Sequence, residues 1–191
     1  IYLGVLSGMS LENKSHDIID IGGGSTELIL ANSKDTRALT SSRIGAVRLK
    51  NDFFQDEPLT NSRLDFIKTF IQGSLEPSIG KIKRRLDKNE SISMIATSGT
   101  AIALGNLISS DLGEPKQKMH GYKFDKSNLE ALLSKLIKMK PFDLRKIPSL
   151  SERRSEIIIP GGLILNTTME MLNISELTIS ERALREGLVI D

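Results

Sequence analysis

The sequence contains no cysteine and only two histidines among its 191 residues. The absence of cysteine excludes disulfide bonds, a thiolate nucleophile and a zinc site built on cysteine ligands. No apolar run approaches the ~20 residues that cross a bilayer as a helix. A net charge of +2 is too small to indicate nucleic-acid binding. These absences predict a cytoplasmic protein whose partners are neither membranes nor nucleic acids.

The composition that remains is that of an ordinary globular protein. Hydrophobic residues make up 39% and charged residues 26%, and the length suffices for one domain with a core, or for one that carries a helical insertion. The chain opens with the apolar stretch IYLGVLSG, with neither an initiator Met nor a charged segment before it, which is not typical of a signal peptide. We expect a fragment whose first residues are the tail of a longer element.

The pattern of apolar residues predicts a mixed α/β domain. Short aliphatic runs separated by polar turns predict three strands in a meander, and two βα units follow later in the chain. The predicted strands are 17–22, 26–31, 36–42, 91–97 and 174–180, and the predicted helices are 45–54, 60–86, 100–110, 125–140, 151–173 and 181–191. We expect a kink or a local break at Pro77. This order indicates a sheet of the ribonuclease-H-like type.

The segment DIIDIGGGSTELIL, residues 17–30, carries the first candidate site. Consecutive glycines let the backbone approach a ligand and turn successive N–H groups toward a phosphate, and neighbouring hydroxyls add donors. The candidate phosphate-binding residues are Gly22, Gly23, Gly24, Ser25 and Thr26. Asp20 before the loop and Glu27 after it are suited to hold hydrated Mg²⁺ or to orient a water against a phosphoryl group.

Two familiar phosphate-binding motifs do not fit the glycine segment. A P-loop needs a lysine after its glycines, and a dinucleotide-binding fingerprint needs a following helix, whereas residues 26–31 predict a strand. A purely structural interpretation stays open: a hairpin with a glycine bulge, in which Asp20 is a turn residue and Glu27 faces solvent.

A second candidate site lies in IATSGTAIALGNL, residues 95–107. Ser98, Gly99 and Thr100 stand between a predicted strand and a predicted helix, where backbone N–H groups attract anions. A plain βα connection with Thr100 as the N-cap explains the same residues. Arg48, in GAVRL, is a further candidate, because arginine suits bidentate contacts with phosphate, although it could equally anchor the loop by a salt bridge.

Five stretches in this order, DIGGGSTEL, SSRIGAVRL, IATSGTAIALGNL, RRSEIIIPGGLIL and SERALREGLVID, resemble the exopolyphosphatase and guanosine pentaphosphate phosphohydrolase (Ppx/GppA) family. That family belongs to the superfamily of acetate and sugar kinases, actin and heat-shock chaperone ATPases. The resemblance extends over nearly the whole chain. It implies a two-domain enzyme with a ribonuclease-H-like fold in each half. Such enzymes remove the terminal phosphate from polyphosphate or from guanosine pentaphosphate (pppGpp) with Mg²⁺, in the cleft between the halves.

The resemblance also implies roles for the candidate residues. Asp20 would bind the metal and a water, and residues 22–26 would bind the phosphate oxygens. Glu27 would bind the metal or activate the water. Residues 98–100 occupy the place that binds adenosine in related kinases.

The first phosphate loop of the family and its usual catalytic glutamate are missing from the sequence. The resemblance therefore implies that residues 1–16 are the end of an interdomain helix and a linker. Residues 17–191 would form the second lobe, with a helical insertion at about 125–173. The implied partners are the missing N-terminal lobe and a second copy in a homodimer, and we expect the fragment alone to be inactive.

An alternative keeps the fold and changes the reaction. A kinase-like phosphotransferase that binds ATP, or a non-catalytic nucleotide-binding regulator, would also need a phosphate loop and a nucleotide pocket. Transfer of phosphate from ATP to an acceptor would favour the kinase, whereas release of phosphate without an acceptor would favour the hydrolase.

Overall fold

A computed structural model describes residues 1–11, 14–54 and 59–183. The chain begins with a short helix, α1 (Tyr2–Leu6), and continues into three consecutive antiparallel strands, β1 (His16–Ile21), β2 (Thr26–Ala31) and β3 (Thr36–Ser42). The predicted meander is confirmed, and β2 and β3 have the predicted bounds.

Parallel strands extend the sheet beyond β1. β4 (Ser93–Thr97) pairs parallel with β1, and β6 (Glu176–Ile179) pairs parallel with β4. The three-residue strand β5 (Lys123–Asp125) pairs antiparallel with β6, so the order in the sheet is β3-β2-β1-β4-β6-β5. This mixed sheet confirms the predicted α/β, ribonuclease-H-like fold. β5 was not predicted, because three residues with one buried side chain give no measurable alternation.

The remaining described helices are α2 (Ala46–Phe53), α3 (Asn61–Lys83), α4 (Ser98–Asp111), α5 (Lys126–Leu136), α6 (Pro141–Leu144) and α7 (Glu152–Met171). α3 runs without a break through Pro77, so the expectation of a break at this residue is wrong. α4 begins at Ser98 after Thr97 as the N-cap residue, so Thr100 lies inside the helix and is not its N-cap.

Residues 181–183 are not helical, and the rest of the predicted closing helix lies outside the described residues. Within the described ranges, no helix combines the length and the apolar character that a bilayer crossing requires.

The two faces of the sheet belong to separate apolar clusters. The large core combines strand side chains with those of α2 to α7, and it contains Ile19 and Ile21 of β1. The small core contains Ile18 of β1 together with Val5 and Leu11 from the start of the chain. Because successive side chains of a strand point to opposite faces, β1 contributes to both clusters.

Helix α7 packs closely on its neighbours in the large core. A Cβ on Gly161 would lie 2.4 Å from Cγ2 of Thr100, and a Cβ on Gly162 would lie 2.6 Å from Cδ2 of Leu133. The glycines therefore allow α7 to approach α4 and α5. The division of the chain into a lobe and an insertion at about 125–173 stays a prediction.

Candidate active site

The glycine loop, residues 22–25, joins β1 to β2 and is fixed on the start of α2. The Gly22 N–H donates to the Ser25 carbonyl oxygen at 2.9 Å, and the Ala46 N–H donates to the Gly22 carbonyl oxygen at 2.9 Å. The first N–H groups of a helix have no partner within the helix, and here they bind the carbonyl side of the loop. The loop is therefore held in one shape by α2.

The tightest contact of the loop is with Gly45, the residue before α2. A Cβ on Gly45 would lie 2.5 Å from the Gly23 carbonyl carbon and 2.6 Å from the Gly24 nitrogen, so only glycine fits. None of Gly22, Gly23 and Gly24 has a φ angle in the left-handed region. A Cβ on Gly24 would meet nothing within 4 Å, so that side of the loop is open to a ligand.

Asp20 and Glu27 are direct neighbours across the hairpin. The register of β1 and β2 pairs them one position from the loop. Ser41 of β3 pairs with Glu27, and Thr97 of β4 pairs with Asp20. Because paired residues lie side by side on one face of the sheet, these four side chains form a row across four strands. We call Ser41, Glu27, Asp20 and Thr97 the acid row.

Two serine hydroxyls hold the Glu27 carboxylate of the acid row. Ser25 Oγ donates to Glu27 Oε1 at 2.7 Å, and Ser41 Oγ donates to the same atom at 2.9 Å. The Thr97 hydroxyl, beside Asp20 in the row, donates to the Ile19 carbonyl oxygen at 3.3 Å. Asp20 lies within β1, and Glu27 is half-buried. The purely structural interpretation, in which Asp20 is a turn residue and Glu27 faces solvent, does not describe this arrangement.

The acid pair suits a hard divalent cation. Burial raises the pKa of Asp20, and the neighbouring charge of Glu27 raises it further, while the nearby Thr97 side chain acts in the opposite direction. A cation between two such acids would relieve their repulsion. Among the described residues, no three acids or histidines come together as a metal cage. Two carboxylates fit Mg²⁺, which keeps several waters and takes oxygen ligands from its substrate.

The turn from β4 into α4 lies beside the acid row, because β1 and β4 are parallel neighbours whose carboxyl ends share one edge of the sheet. Ser98 has a φ angle of 89°. A non-glycine residue in such a conformation costs on the order of 1–3 kcal/mol, and such residues cluster at functional sites. The Ala101 N–H donates to Ser98 Oγ at 3.4 Å. A ligand-binding role of residues 98–100 stays a prediction.

Sequence reasoning does not identify Arg154 as part of this site. The first turn of α7 brings its guanidinium against the second loop, so that a Cβ on Gly99 would lie 2.9 Å from Nη2 of Arg154. The side chain is exposed and therefore accessible to an anion. Its sequence context, SERRSE, is explained equally well by pairing along a helix, and the packing of α7 on α4 is what places the guanidinium at the second loop.

Two predicted phosphate ligands have other contacts. The Thr26 side chain is fully buried, and its hydroxyl donates to the Ile44 carbonyl oxygen at 2.6 Å. In this conformation the hydroxyl braces the connection from β3 to α2 and is not offered to a ligand. Arg48 is exposed on the first turn of α2, and its backbone N–H donates to the Gly23 carbonyl oxygen at 2.9 Å. A phosphate contact by the Arg48 side chain stays a prediction.

The sheet order is that of a ribonuclease-H-like fold. The sequence profile of the Ppx/GppA phosphatase family matches residues 1–191. The chain belongs to that family.

Curated relatives carry the names of two activities. A putative exopolyphosphatase of Haemophilus influenzae is 27% identical over 172 residues, which are 90% of this chain and 50% of that protein. A guanosine-5'-triphosphate,3'-diphosphate pyrophosphatase of Aliivibrio fischeri is 30% identical over 189 residues, which are 98% of this chain and 35% of that protein. The chain thus spans half or less of the length of these relatives.

Solved structures share the fold. An exopolyphosphatase from Cytophaga hutchinsonii superposes with a TM-score of 0.88 at 21% identity, over 100% of this chain and 60% of that chain. The Ppx/GppA enzyme of Aquifex aeolicus superposes with a TM-score of 0.84 at 24% identity, over 99% of this chain and 60% of that chain.

Proposed function

We propose that this chain is the metal- and phosphate-binding lobe of a hydrolase that removes the terminal phosphate from polyphosphate or from guanosine pentaphosphate. The observation that carries the proposal is the pairing of Asp20 with Glu27 beside the open glycine loop. The names of the relatives supply the two substrate classes. Both substrates end in a phosphoanhydride, so one site chemistry serves either of them.

The terminal phosphate binds, in this proposal, between the glycine loop and the start of α4. Phosphoryl transfer depends mainly on positioning and on stabilisation of the charge of the transferred group. The N–H groups of Ser98, Gly99 and Thr100 at the helix start attract an anion. The Arg154 guanidinium beside Gly99 offers a bidentate contact to phosphate oxygens.

Glu27 orients the attacking water. Both serine hydroxyls donate to Oε1, which leaves Oε2 to accept a hydrogen bond from the water. The water oxygen bonds to the terminal phosphorus while the bridging P–O bond breaks, and Oε2 takes the proton of the water. Asp20 and Glu27 would hold Mg²⁺, which supplies charge neutralisation on the phosphate when it is bound. A second lobe closes the site over the substrate.

The test measures Mg²⁺-dependent phosphate release from long-chain polyphosphate and from guanosine pentaphosphate. Two proteins are compared: the chain alone, and the chain fused to the part of the Haemophilus influenzae relative that it does not match. We expect release from the fusion. Glu27→Gln should abolish it, whereas the matched control Glu76→Gln, at an exposed site on α3, should not.

Three results would contradict the proposal. No release of phosphate from either substrate would exclude a phosphoanhydride hydrolase of this kind. Phosphate passed from ATP to an acceptor, without free phosphate, would indicate the kinase-like alternative. Equal activity in Glu27→Gln and Glu76→Gln would remove Glu27 from the mechanism.

A further inference from the structure

Ser41 is the member of the acid row whose hydroxyl donates to Glu27. It lies on β3, one strand away from the hairpin that carries both acids, and its Oγ donates to Glu27 Oε1 at 2.9 Å. Ser41 is exposed, so water could satisfy its hydroxyl as well as a carboxylate does. The hydrogen bond is therefore not required by burial, and its consequence is the orientation of Glu27.

The strand register fixes the position of Ser41 beside Glu27. Ser41 and Glu27 are directly paired, and the pairing of β2 with β3 is regular at this end. The one register shift falls between Leu30 and Ala31, near the far end of the pair. Because cross-strand partners are held at a fixed separation by the ladder, Ser41 reaches Glu27 without any contribution from the glycine loop.

Ser25, the other donor to Oε1, has a competing role. It belongs to the loop that we propose for phosphate binding, and its hydroxyl has one hydrogen to donate. When a phosphate oxygen accepts that hydrogen, Ser25 no longer holds Glu27. Within the described part of the chain, Ser41 is then the hydroxyl that remains on Oε1.

We propose that Ser41 is a positioning residue for Glu27: it keeps Oε1 engaged while Ser25 turns to the phosphate, so that Oε2 stays directed at the water and the cation. The inference rests on the proposed function of Glu27. The two serines then have different roles: Ser25 contacts both the substrate and the Glu27 carboxylate, whereas Ser41 contacts the carboxylate alone.

The kinetic test uses the fusion protein and four variants. Ser41→Ala should lower kcat about 10-fold, the size of effect typical of groups that orient a metal-binding or reacting side chain, with KM nearly unchanged. Ser41→Thr keeps the hydroxyl and should restore most of kcat. Ser25→Ala should raise KM as well as lower kcat. Thr40→Val is the matched control, because the Thr40 hydroxyl donates to the Leu28 carbonyl oxygen at 3.0 Å, away from the acids.

A second measurement needs no turnover. Electron paramagnetic resonance gives the Kd of Mn²⁺, as a probe of the Mg²⁺ site, for the 191-residue chain. Ser41→Ala should weaken binding about 10-fold, Ser41→Thr should restore it, and Thr40→Val should match the unaltered chain.

The outcomes separate this inference from the proposed function. If Glu27→Gln abolishes activity and Mn²⁺ binding while Ser41→Ala matches Thr40→Val in both, the role of Ser41 is overturned and the hydrolase site stands. A defect in Ser41→Ala that Ser41→Thr does not repair also overturns it, because the hydroxyl would not be the cause. Without any Mn²⁺ binding by the unaltered chain, both the cation site and the role of Ser41 are overturned.

Discussion

Asp17 of β1 is a buried acid, and its replacement by asparagine should stabilise the fold near neutral pH. The side chain is 0% exposed, and neither carboxylate oxygen has a hydrogen-bond partner in the described structure. Its register neighbours, Leu30 and Met94, are themselves fully buried. Burial raises the pKa of Asp17 from 3.8 to about 7.

The sign of the effect follows from proton binding. In the unfolded chain Asp17 ionises near its ordinary pKa of 3.8, whereas in the fold it keeps its proton up to a pKa of about 7. Between these values the folded state binds more protons than the unfolded state, so the free energy of unfolding falls by about 1.4 kcal/mol for each pH unit as pH rises. The loss approaches about 4 kcal/mol and is complete above pH 7.

The assay is urea unfolding followed by circular dichroism, at several pH values from about 4 to about 8. The difference in stability between Asp17→Asn and the unaltered chain should be small at the acid end and should grow steadily toward neutral pH. Asp65→Asn, at an exposed site on α3, is the matched control and should show no such growth. If Asp17→Asn and Asp65→Asn follow the same pH profile, the reasoning about Asp17 is refuted.

Three further substitutions test the site and its supports. Gly45→Ala should cost about 1–3 kcal/mol in urea unfolding and lower phosphate release, because its Cβ would lie 2.5 Å from the Gly23 carbonyl carbon; normal activity would contradict this contact. Arg154→Gln should raise KM about tenfold through the loss of a charged hydrogen bond, and an unchanged KM would remove it from the site. Pro77→Ala should stabilise α3 by about 1–3 kcal/mol, and a lower urea midpoint would contradict that.

The hairpin that carries the acids could be predicted from sequence because its signals are local. Alternating aliphatic residues and the Gly-Ser break bound the two strands, and a loop of residues 22–25 then brings Asp20 opposite Glu27. Thr26 is the residue at which two local signals disagree. It follows the loop directly, which suggests a ligand donor, but it shares a strand face with Leu28 of the large core. Strict use of the alternation would have assigned it to the interior.

Ser41 and Arg154 could not be found in the same way, because their positions are tertiary. Ser41 reaches Glu27 through the register of β3 on β2, which the local pattern of either strand leaves open. Arg154 reaches Gly99 because α7 packs on α4, through glycines that lie farther along the helix. Arginine and serine are common surface residues, so their type alone carries no signal.

Asp17 and Asp20 show that the face of a strand, and not the residue type, locates this site. Asp17 lies two residues before Ile19 and therefore on the same face of β1. Its side chain points into the large core, where its charge costs stability. Asp20 lies on the other face, which it shares with Ile18, and it pairs with Glu27 near the end of the strand. A divalent cation should therefore stabilise the chain through Asp20 and Glu27 but not through Asp17, since a ligand that binds only the folded state raises its stability. The shift of the urea midpoint by Mg²⁺ should persist in Asp17→Asn and disappear in Asp20→Asn, and loss of the shift in both variants would contradict this separation of the two faces.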